Sequence, residues 1–175
     1  MTTFRSFTTS RLFLKPTNLE DADFLLELLN TPKWITFIGD RNVKSTKDAT
    51  IYIENNILPQ YSKKGYGNYT VILKESNIKI GSCGLYDRQG IDGLDIGFAF
   101  LPQYEKMGYA FESACALKTA AFTIFGISKL NAITTLQNLS SQQLLERLGL
   151  RFKEMINLPG DNEKLMLYSI EKPVQ

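Results

Sequence analysis

The chain has 175 residues, 43% of them hydrophobic and 22% charged, so it is long enough to bury a core within a single domain spanning residues 1–175. Its 20 basic and 18 acidic side chains give a net charge of +2, which offers no electrostatic reason to expect a nucleic-acid or membrane partner. Histidine is absent, which excludes Ser-His-Asp and Cys-His nucleophiles, His-bearing zinc sites and a histidine general base. We predict no metal site.

The two cysteines, Cys83 and Cys115, are far apart and form no CxxC pair, so we expect buried free thiols. A disulfide between them stays open as an alternative. The start of the chain lacks the charged and then apolar pattern of a signal peptide. The apolar runs are far shorter than the ~20 residues that a membrane span needs. We therefore expect a soluble, cytoplasmic protein.

Hydrophobic periodicity predicts a strand, two helices, three strands, a helix, a strand, a helix and two strands. The predicted strands are 11–15, 69–74, 78–85, 94–101, 130–136, 152–156 and 164–170. The predicted helices begin at a capping box at 17–20, after Ser45 or Thr46, at Tyr109, and at a capping box at 140–143. This order predicts an α/β fold of the α+β type, with a mixed, largely antiparallel sheet of about seven strands flanked by helices.

The strand at 94–101 has two unequal faces. Its even-numbered residues, from Leu94 to Phe100, are bulky. On the other face Gly97 and Ala99 are small, and Asp95 supplies one carboxylate. We expect the small-residue face to leave room for a substrate beside Asp95.

A polar bend at 103–108 leads from this strand into a helix whose start holds Gly108 and Ala110. The first N–H groups of a helix lack internal partners, and the helix dipole adds positive charge there. Small residues let an anion approach the backbone closely. The segment therefore predicts an anion site suited to a pyrophosphate.

The string Leu-Pro-Gln-Tyr-Glu-Lys-Met-Gly-Tyr-Ala-Phe-Glu-Ser-Ala at 101–114 resembles the acetyl-CoA loop and helix of the GNAT N-acetyltransferase superfamily, whose pattern there is Gln/Arg-x-x-Gly-x-Gly/Ala. Residues 80–85, 95–100 and 138–150 resemble neighbouring elements of that family, in the same order. The resemblance extends over roughly residues 10–170. It is strongest to the RimJ/RimL-like branch of ribosomal-protein N-terminal acetyltransferases, which also contains small-molecule acetyltransferases.

The resemblance implies that acetyl-CoA is the acetyl donor and coenzyme A a product. It implies that amides of the loop bind the pyrophosphate, and that the strand end binds the pantetheine arm like an added strand. The residues expected in cofactor binding are Phe98, Ala99, Phe100, Lys106, Met107, Gly108, Tyr109, Ala110, Asn138 and Ser141. Two residues depart from the pattern: Glu105 replaces Gln or Arg, and Lys106 stands where Gly is common. We expect cofactor binding to survive at a weaker affinity, with Lys106 offsetting the charge of Glu105, because most of the donors are backbone groups.

The chemistry that the resemblance implies is direct attack of an amine on the thioester carbonyl. It requires a base, a donor to the carbonyl oxygen and a donor to the leaving thiolate. We expect Asp95 to be the base and a backbone N–H near the strand end to serve the oxygen. Ser141 is the expected thiolate donor, because Leu145 occupies the position where many relatives have Tyr. The alternatives, a surface carboxylate for Asp95 and a helix-capping role for Ser141, stay open.

The expected acceptor is a primary amine, either a peptide N-terminal α-amine or a small-molecule amine. At pH 7 the free form costs about 4.6 kcal/mol for a lysine amine and about 1–1.4 kcal/mol for an α-amine, which favours the α-amine. We expect Trp34, Tyr86 and Tyr104 to line the acceptor cleft, with a loop at 34–40 as the acceptor-side element. A homodimer is an open alternative to a monomer.

Two other functions compete with an acetyltransferase. Glu105, Lys106 and the missing Tyr also suit a non-catalytic acyl-CoA-binding or sensing domain. An anion-binding module that takes no coenzyme A is the third hypothesis.

Overall fold

Eight strands form one mixed sheet within residues 4–174, which are the residues that the computed structural model describes. The strands are β1 (Phe7–Thr8), β2 (Leu12–Pro16), β3 (Asn68–Leu73), β4 (Ile78–Tyr86), β5 (Leu94–Phe100), β6 (Lys129–Thr134), β7 (Arg151–Ile156) and β8 (Leu165–Glu171). They lie in the order β1-β2-β3-β4-β5-β6-β8-β7. Only the β5–β6 pair is parallel within this part of the chain, which confirms the largely antiparallel sheet. The additional strand is β1, whose two residues are too few to show alternation.

Helices flank the sheet. They are α1 (Ala22–Leu29), α2 (Pro32–Phe37), α3 (Thr46–Tyr52), α4 (Leu58–Lys64), α5 (Tyr109–Thr123) and α6 (Leu139–Arg147). A π-helical turn at Ile53–Ile57 joins α3 to α4, so the helix predicted to follow Ser45 is continuous as far as Gly65. Helix α5 packs against β4 and β5, and α1 packs against α3.

The N-caps of the two helices predicted to begin with capping boxes are other residues than those predicted. Before α1 the cap is Asn18, whose side chain accepts from the Glu20 N–H while the Asp21 carboxylate accepts from the Asn18 N–H. Thr17 cannot serve, because its hydroxyl is buried against Thr70. At α6 the cap is Asn138 and not Ser140, so Ser141 lies in the first turn of the helix.

The expectation of a loop at 34–40 is wrong for most of that segment, because residues 32–37 form α2. Pro32 follows α1 closely in the chain but does not introduce a loop. It occupies the start of the next helix, where its missing N–H costs nothing and its fixed φ suits the first turn.

A buried charge ties the start of α1 to the sheet. Asp21 is fully buried, and its carboxylate forms ion pairs with Lys15 of β2 at 3.1 Å and Lys79 of β4 at 2.7 Å. These contacts fix the start of α1 against β2 and β4, the strands on either side of β3.

Candidate active site

The two parallel strands at the centre of the sheet separate soon after they meet. Strand β5 pairs with β6 only at Leu94–Leu130 and Asp95–Asn131. Beyond Asp95, β5 keeps its pairing with β4 but has no partner on its other side. Its residues 97–99 are accordingly only half-buried. The separation leaves a row of backbone donors and acceptors along β5 that an extended ligand can pair with.

Strand β5 leads through a short loop into the start of α5. Lys106 in this loop has a φ of +59°, and Gly108, the N-cap residue, has a φ of +83°. The first α-helical bond runs from the Glu112 N–H to the Gly108 carbonyl at 3.0 Å, which leaves the N–H groups of residues 109–111 without a partner inside the helix. The predicted helix start is confirmed. Lys106 adopts the left-handed conformation that explains why glycine suits this position.

Arg11, from the segment before β2, holds this loop in place. Its Nη1 donates to the Met107 carbonyl at 3.0 Å, its Nε donates to Glu112 at 2.7 Å, and its guanidinium lies 4.5 Å from the centre of the Tyr109 ring. Although burial alone raises the pKa of Glu112, hydrogen bonds from Thr9 and Arg11 outweigh it and hold that pKa low. Sequence reasoning missed Arg11, because 96 positions separate it from Met107 and no local pattern connects the two.

The charge of Glu105 is neutralised from an unexpected direction. Lys33 of α2 forms an ion pair with the Glu105 carboxylate. The expectation that Lys106 performs this role therefore needs correction: the compensating cation comes from the helix that replaces the predicted loop.

Asp95 lies where β5 and β6 begin to separate, and it is 1% exposed. Burial raises its pKa to about 6, against the opposing attraction of Arg88, whose Nε lies 2.7 Å from Asp95 Oδ2. Oδ1 accepts no full-strength hydrogen bond within residues 4–174, although the Ile133 N–H lies close enough to the carboxyl group to help lower its pKa. Asp95 is therefore not a surface carboxylate.

The expected room beside Asp95 is not there, because Tyr86 fills it. A Cβ atom placed on Gly97 would lie 3.0 Å from the Tyr86 ring. The Tyr86 hydroxyl donates to Asn68 Oδ1 at 2.5 Å, and Ser82 donates to the same oxygen at 2.7 Å. The small-residue face is thus covered by a fixed ring, which makes Tyr86 a wall of the site and not a mobile binding group.

The two other aromatic residues predicted at the acceptor cleft belong to elements joined by the Lys33–Glu105 pair. Trp34 follows Lys33 in α2 and is half-buried, with its indole N–H buried and without a partner in the described chain. Tyr104 precedes Glu105 in a 3-10 turn and is also half-buried. The ion pair therefore brings these two segments to one side of the site.

The end of β6 and the start of α6 supply a second group of polar atoms. Asn138 Oδ1 accepts from the Ser141 N–H at 3.3 Å and from the Ser140 hydroxyl at 3.2 Å, so only its amide N–H groups remain for a ligand. The Ser141 hydroxyl makes no hydrogen bond within residues 4–174 and is not fully buried, whereas Leu145 is 1% exposed and lies in the core. Thr134 and Thr135, which sequence reasoning missed, have buried hydroxyls without a partner in that range.

Because β5 and β6 are parallel, the loop that follows β5 and the helix that follows β6 lie at the same edge of the sheet. That edge carries the free amides at the start of α5, the unpaired edge of β5, and the hydroxyls of Thr134, Thr135 and Ser141. Together they form a site for a long ligand with a diphosphate at one end and amides along an extended arm.

Residues 11–151 match the family described as the acetyltransferase (GNAT) domain, and the chain belongs to that family. It is 26% identical over 160 residues to the uncharacterized N-acetyltransferase YnaD of Bacillus subtilis, covering 89% of each chain. It is 22% identical over 170 residues to the uncharacterized N-acetyltransferase YoaA of the same organism, covering 94% of this chain and 96% of YoaA.

Solved structures show the same fold. The acetyltransferase of Agrobacterium tumefaciens superposes with a TM-score of 0.82 at 23% identity, covering 98% of this chain and 97% of that one. A RimL ribosomal L7/L12 α-N-protein acetyltransferase in complex with coenzyme A superposes with a TM-score of 0.81 at 18% identity, covering 95% of this chain and 98% of that one.

The chain is therefore an acetyl-CoA-dependent N-acetyltransferase. The residues present fit the cofactor: Gly108 lets a ligand approach the helix start closely, and the buried hydroxyls of Thr134 and Thr135 lack partners in the described chain. These observations count against a cofactor-free module, and the family and its relatives, which are named N-acetyltransferases, count against a non-catalytic one. No helix within residues 4–174 is long and apolar enough to cross a bilayer.

Proposed function

We propose that the chain acetylates the α-amine at the N-terminus of a peptide or protein, with Asp95 as general base. The observation that carries this proposal is the buried carboxyl group of Asp95 at the point where β5 and β6 separate, with Oδ2 paired to Arg88 and Oδ1 unpaired in the described chain. Oδ1 is the atom that takes the proton from the amine.

Acetyl-CoA supplies an acyl group activated as a thioester. The amine nitrogen forms a bond to the acyl carbon, the carbon–sulfur bond breaks, and the amine proton goes to Asp95. A backbone N–H from residues 98–100 donates to the carbonyl oxygen. The Ser141 hydroxyl donates a hydrogen bond to the departing sulfur, which leaves without a strong acid because thiols have a pKa of about 8.5. We assign Lys106, Met107, Gly108, Tyr109, Ala110 and Asn138 to cofactor binding.

The strength of the base favours an α-amine. A carboxylate with a pKa of about 6 accepts a proton readily from an amine of pKa about 8 and far less readily from one of pKa about 10.4. The RimL structure that superposes on this chain is named as an α-N-protein acetyltransferase, which agrees with this preference. Trp34 and Tyr104 then flank the acceptor, with Tyr86 as the wall behind it.

A panel of acceptors tests this function through the release of coenzyme A thiol. It comprises peptides with a free N-terminus, the same peptides blocked at the N-terminus but carrying a lysine, and small primary amines. We expect turnover with the free peptides and little with the blocked ones. Faster turnover of the small amines would replace the peptide assignment by a small-molecule one.

The role of Ser141 has a separate test. Ser141→Ala should lower kcat about tenfold and leave the Kd for coenzyme A unchanged, because the hydroxyl acts on the leaving sulfur. Ser62→Ala, on the exposed surface of α4, is the matched control. Full activity of the Ser141 variant would remove this residue from the mechanism.

We also propose that the protein forms a homodimer in the cytoplasm. Strand β7 lies at the edge of the sheet, where Phe152 is 47% and Met155 is 36% exposed, and such an edge can pair with a second copy. Cys83 and Cys115 are free thiols, as expected in a reducing compartment. Light scattering on the purified chain tests the dimer, and a monomer at micromolar concentration would reject it.

A further inference from the structure

Glu105 places a negative charge in the loop that receives the cofactor diphosphate. It lies three residues before Gly108, the N-cap of α5, and its side chain is 22% exposed. An uncompensated carboxylate at this position would repel a diphosphate, because like charges within about one Debye length (~8 Å at physiological salt) interact strongly. The loop therefore depends on a nearby cation.

Lys33 is that cation, and it belongs to a weakly packed element. Helix α2 has six residues, none of them buried. Ile35 in this helix and Ile38 just after it are 41% and 40% exposed, so the apolar contact of α2 with the core comes from the half-buried Trp34. The ion pair between Lys33 and Glu105 joins α2 to the cofactor loop across 72 positions of the sequence.

We propose that Lys33 is a positioning residue for the cofactor: by neutralising Glu105 it sets the affinity for coenzyme A, and bound coenzyme A in turn holds α2 in place. The two effects are linked. If docking of α2 raises the affinity for coenzyme A, then coenzyme A must stabilise docked α2 by the same factor. An unpaired Glu105 repels the bound diphosphate, so coenzyme A favours the state in which Lys33 neutralises Glu105, which gives the coupling its sign.

This inference goes beyond the proposed function, because it concerns coenzyme A and α2 and needs neither an acceptor nor Asp95. If the peptide panel shows no turnover, the proposed role of Lys33 still stands. If the binding tests of the Lys33 variants fail, the assignment of a peptide acceptor still stands.

Calorimetric titration with coenzyme A alone tests the charge effect. Lys33→Met should weaken binding about fivefold to tenfold, since it leaves one unit charge uncompensated near the diphosphate. Glu105→Gln should bind at least as tightly as the unmodified protein. The double variant should match Glu105→Gln within about twofold, because Lys33 acts through Glu105. Lys33→Arg should retain affinity, and Lys63→Met, at the exposed end of α4, is the matched control.

Two results would overturn the charge effect. Binding by Lys33→Met within about twofold of the unmodified protein means that Glu105 needs no partner. A double variant as weak as Lys33→Met means that Lys33 contacts the ligand directly. A salt series provides an independent readout: the defect of Lys33→Met should shrink between about 0.05 and 0.5 M salt, because the charges are partly exposed.

Hydrogen exchange tests the coupling to α2. The Ile35 N–H donates to the Thr31 carbonyl, just before the helix, at 3.1 Å, and the Ile38 N–H donates to the Trp34 carbonyl, within it, at 2.8 Å, so both amides report its opening. Coenzyme A should slow their exchange in the unmodified protein and should have much less effect in Lys33→Met and Glu105→Gln. Helix α3 serves as the internal reference. Equal protection of α2 in all three proteins would reject the coupling.

Discussion

Arg88 and Asp95 are joined by a contact of 2.7 Å between Nε and Oδ2, yet the two side chains have very different surroundings. The Arg88 side chain is 34% exposed and belongs to the irregular segment between β4 and β5, whereas the Asp95 side chain is 2% exposed. Burial and Arg88 act on the carboxyl group in opposite directions. Their balance raises the pKa of Asp95 to about 6.

The pH dependence of activity follows from this balance. A base acts when it is ionised, so kcat/KM should rise as the pH increases through about 6. Arg88→Ala removes the attraction that lowers the pKa and should shift this rise to higher pH. Asp95→Asn should abolish the rise and reduce kcat about 100-fold. The measurement is a pH profile with a free-amine peptide, and a rise at the same pH in all three proteins would exclude Asp95 as the base.

Asp21 predicts a different pH dependence, this time of stability. Burial alone raises its pKa, but hydrogen bonds from Lys79, the Asn18 N–H and Lys15 outweigh burial and hold the pKa below 3.8. Because the pKa of Asp21 is lower in the folded state than in the unfolded state, its carboxylate stabilises the fold at pH values above the unfolded-state pKa. That stabilisation is lost as the pH falls from the unfolded-state pKa through the folded-state pKa. Asp21→Asn should therefore lose about 3 kcal/mol at pH 7 and respond less to acid than the unmodified chain.

The control for Asp21 is Asp87, which forms an ion pair with Lys64 at 3.0 Å on the surface. Both partners are about half exposed, so solvent screens the pair. Asp87→Asn should change the free energy of unfolding by less than about 0.5 kcal/mol. Urea unfolding at pH 7 and pH 3 measures both variants, because the contribution of Asp21 falls only below the unfolded-state pKa of about 3.9. Equal losses for the two would mean that burial of Asp21 confers no special stability.

The elements that could be predicted from the sequence are those whose apolar residues recur at a regular spacing. The residues of β5 alternate with the period of a strand. Apolar residues four apart in the sequence, Ala49, Ile53, Ile57 and Tyr61, have the period of a helix, and all four are buried. The start of α5 at Gly108 was predictable because a helix start needs only nearby residues. Helix α2 was missed because proline both ends and begins helices.

The electrostatic environment of the site could not be predicted in the same way. Arg11 reaches Met107, and Lys33 reaches Glu105, across 96 and 72 positions of the chain. No spacing rule connects residues so far apart, since their approach depends on how the strands pair. For the same reason Asp95 has the expected position on β5, but the ring of Tyr86, a residue of the neighbouring strand, covers Gly97 beside it.

Gly108 provides a test of the helix start as the diphosphate site. Its φ is +83°, and a Cβ atom there would lie 3.2 Å from Arg11 Nη2. Gly126 has a similar φ of +67° but open space around it. Valine at either position should cost about 1–2 kcal/mol through the left-handed backbone. Only Gly108→Val should also abolish binding of coenzyme A, measured by calorimetry. Loss of binding in both variants would point to a general effect of destabilisation.

Arg11 should be required for the shape of the loop and not merely for its charge. Its guanidinium bonds the Met107 carbonyl and Glu112 at once and lies over Tyr109, a geometry that an ammonium cannot reproduce. We expect Arg11→Lys to raise the Kd for coenzyme A about tenfold, nearly as much as Arg11→Met, because each lost charged hydrogen bond is worth about 1.5 kcal/mol. Arg5→Lys, elsewhere on the exposed surface, is the control. Normal affinity of Arg11→Lys, measured by calorimetry with coenzyme A alone, would show that a positive charge near the loop suffices.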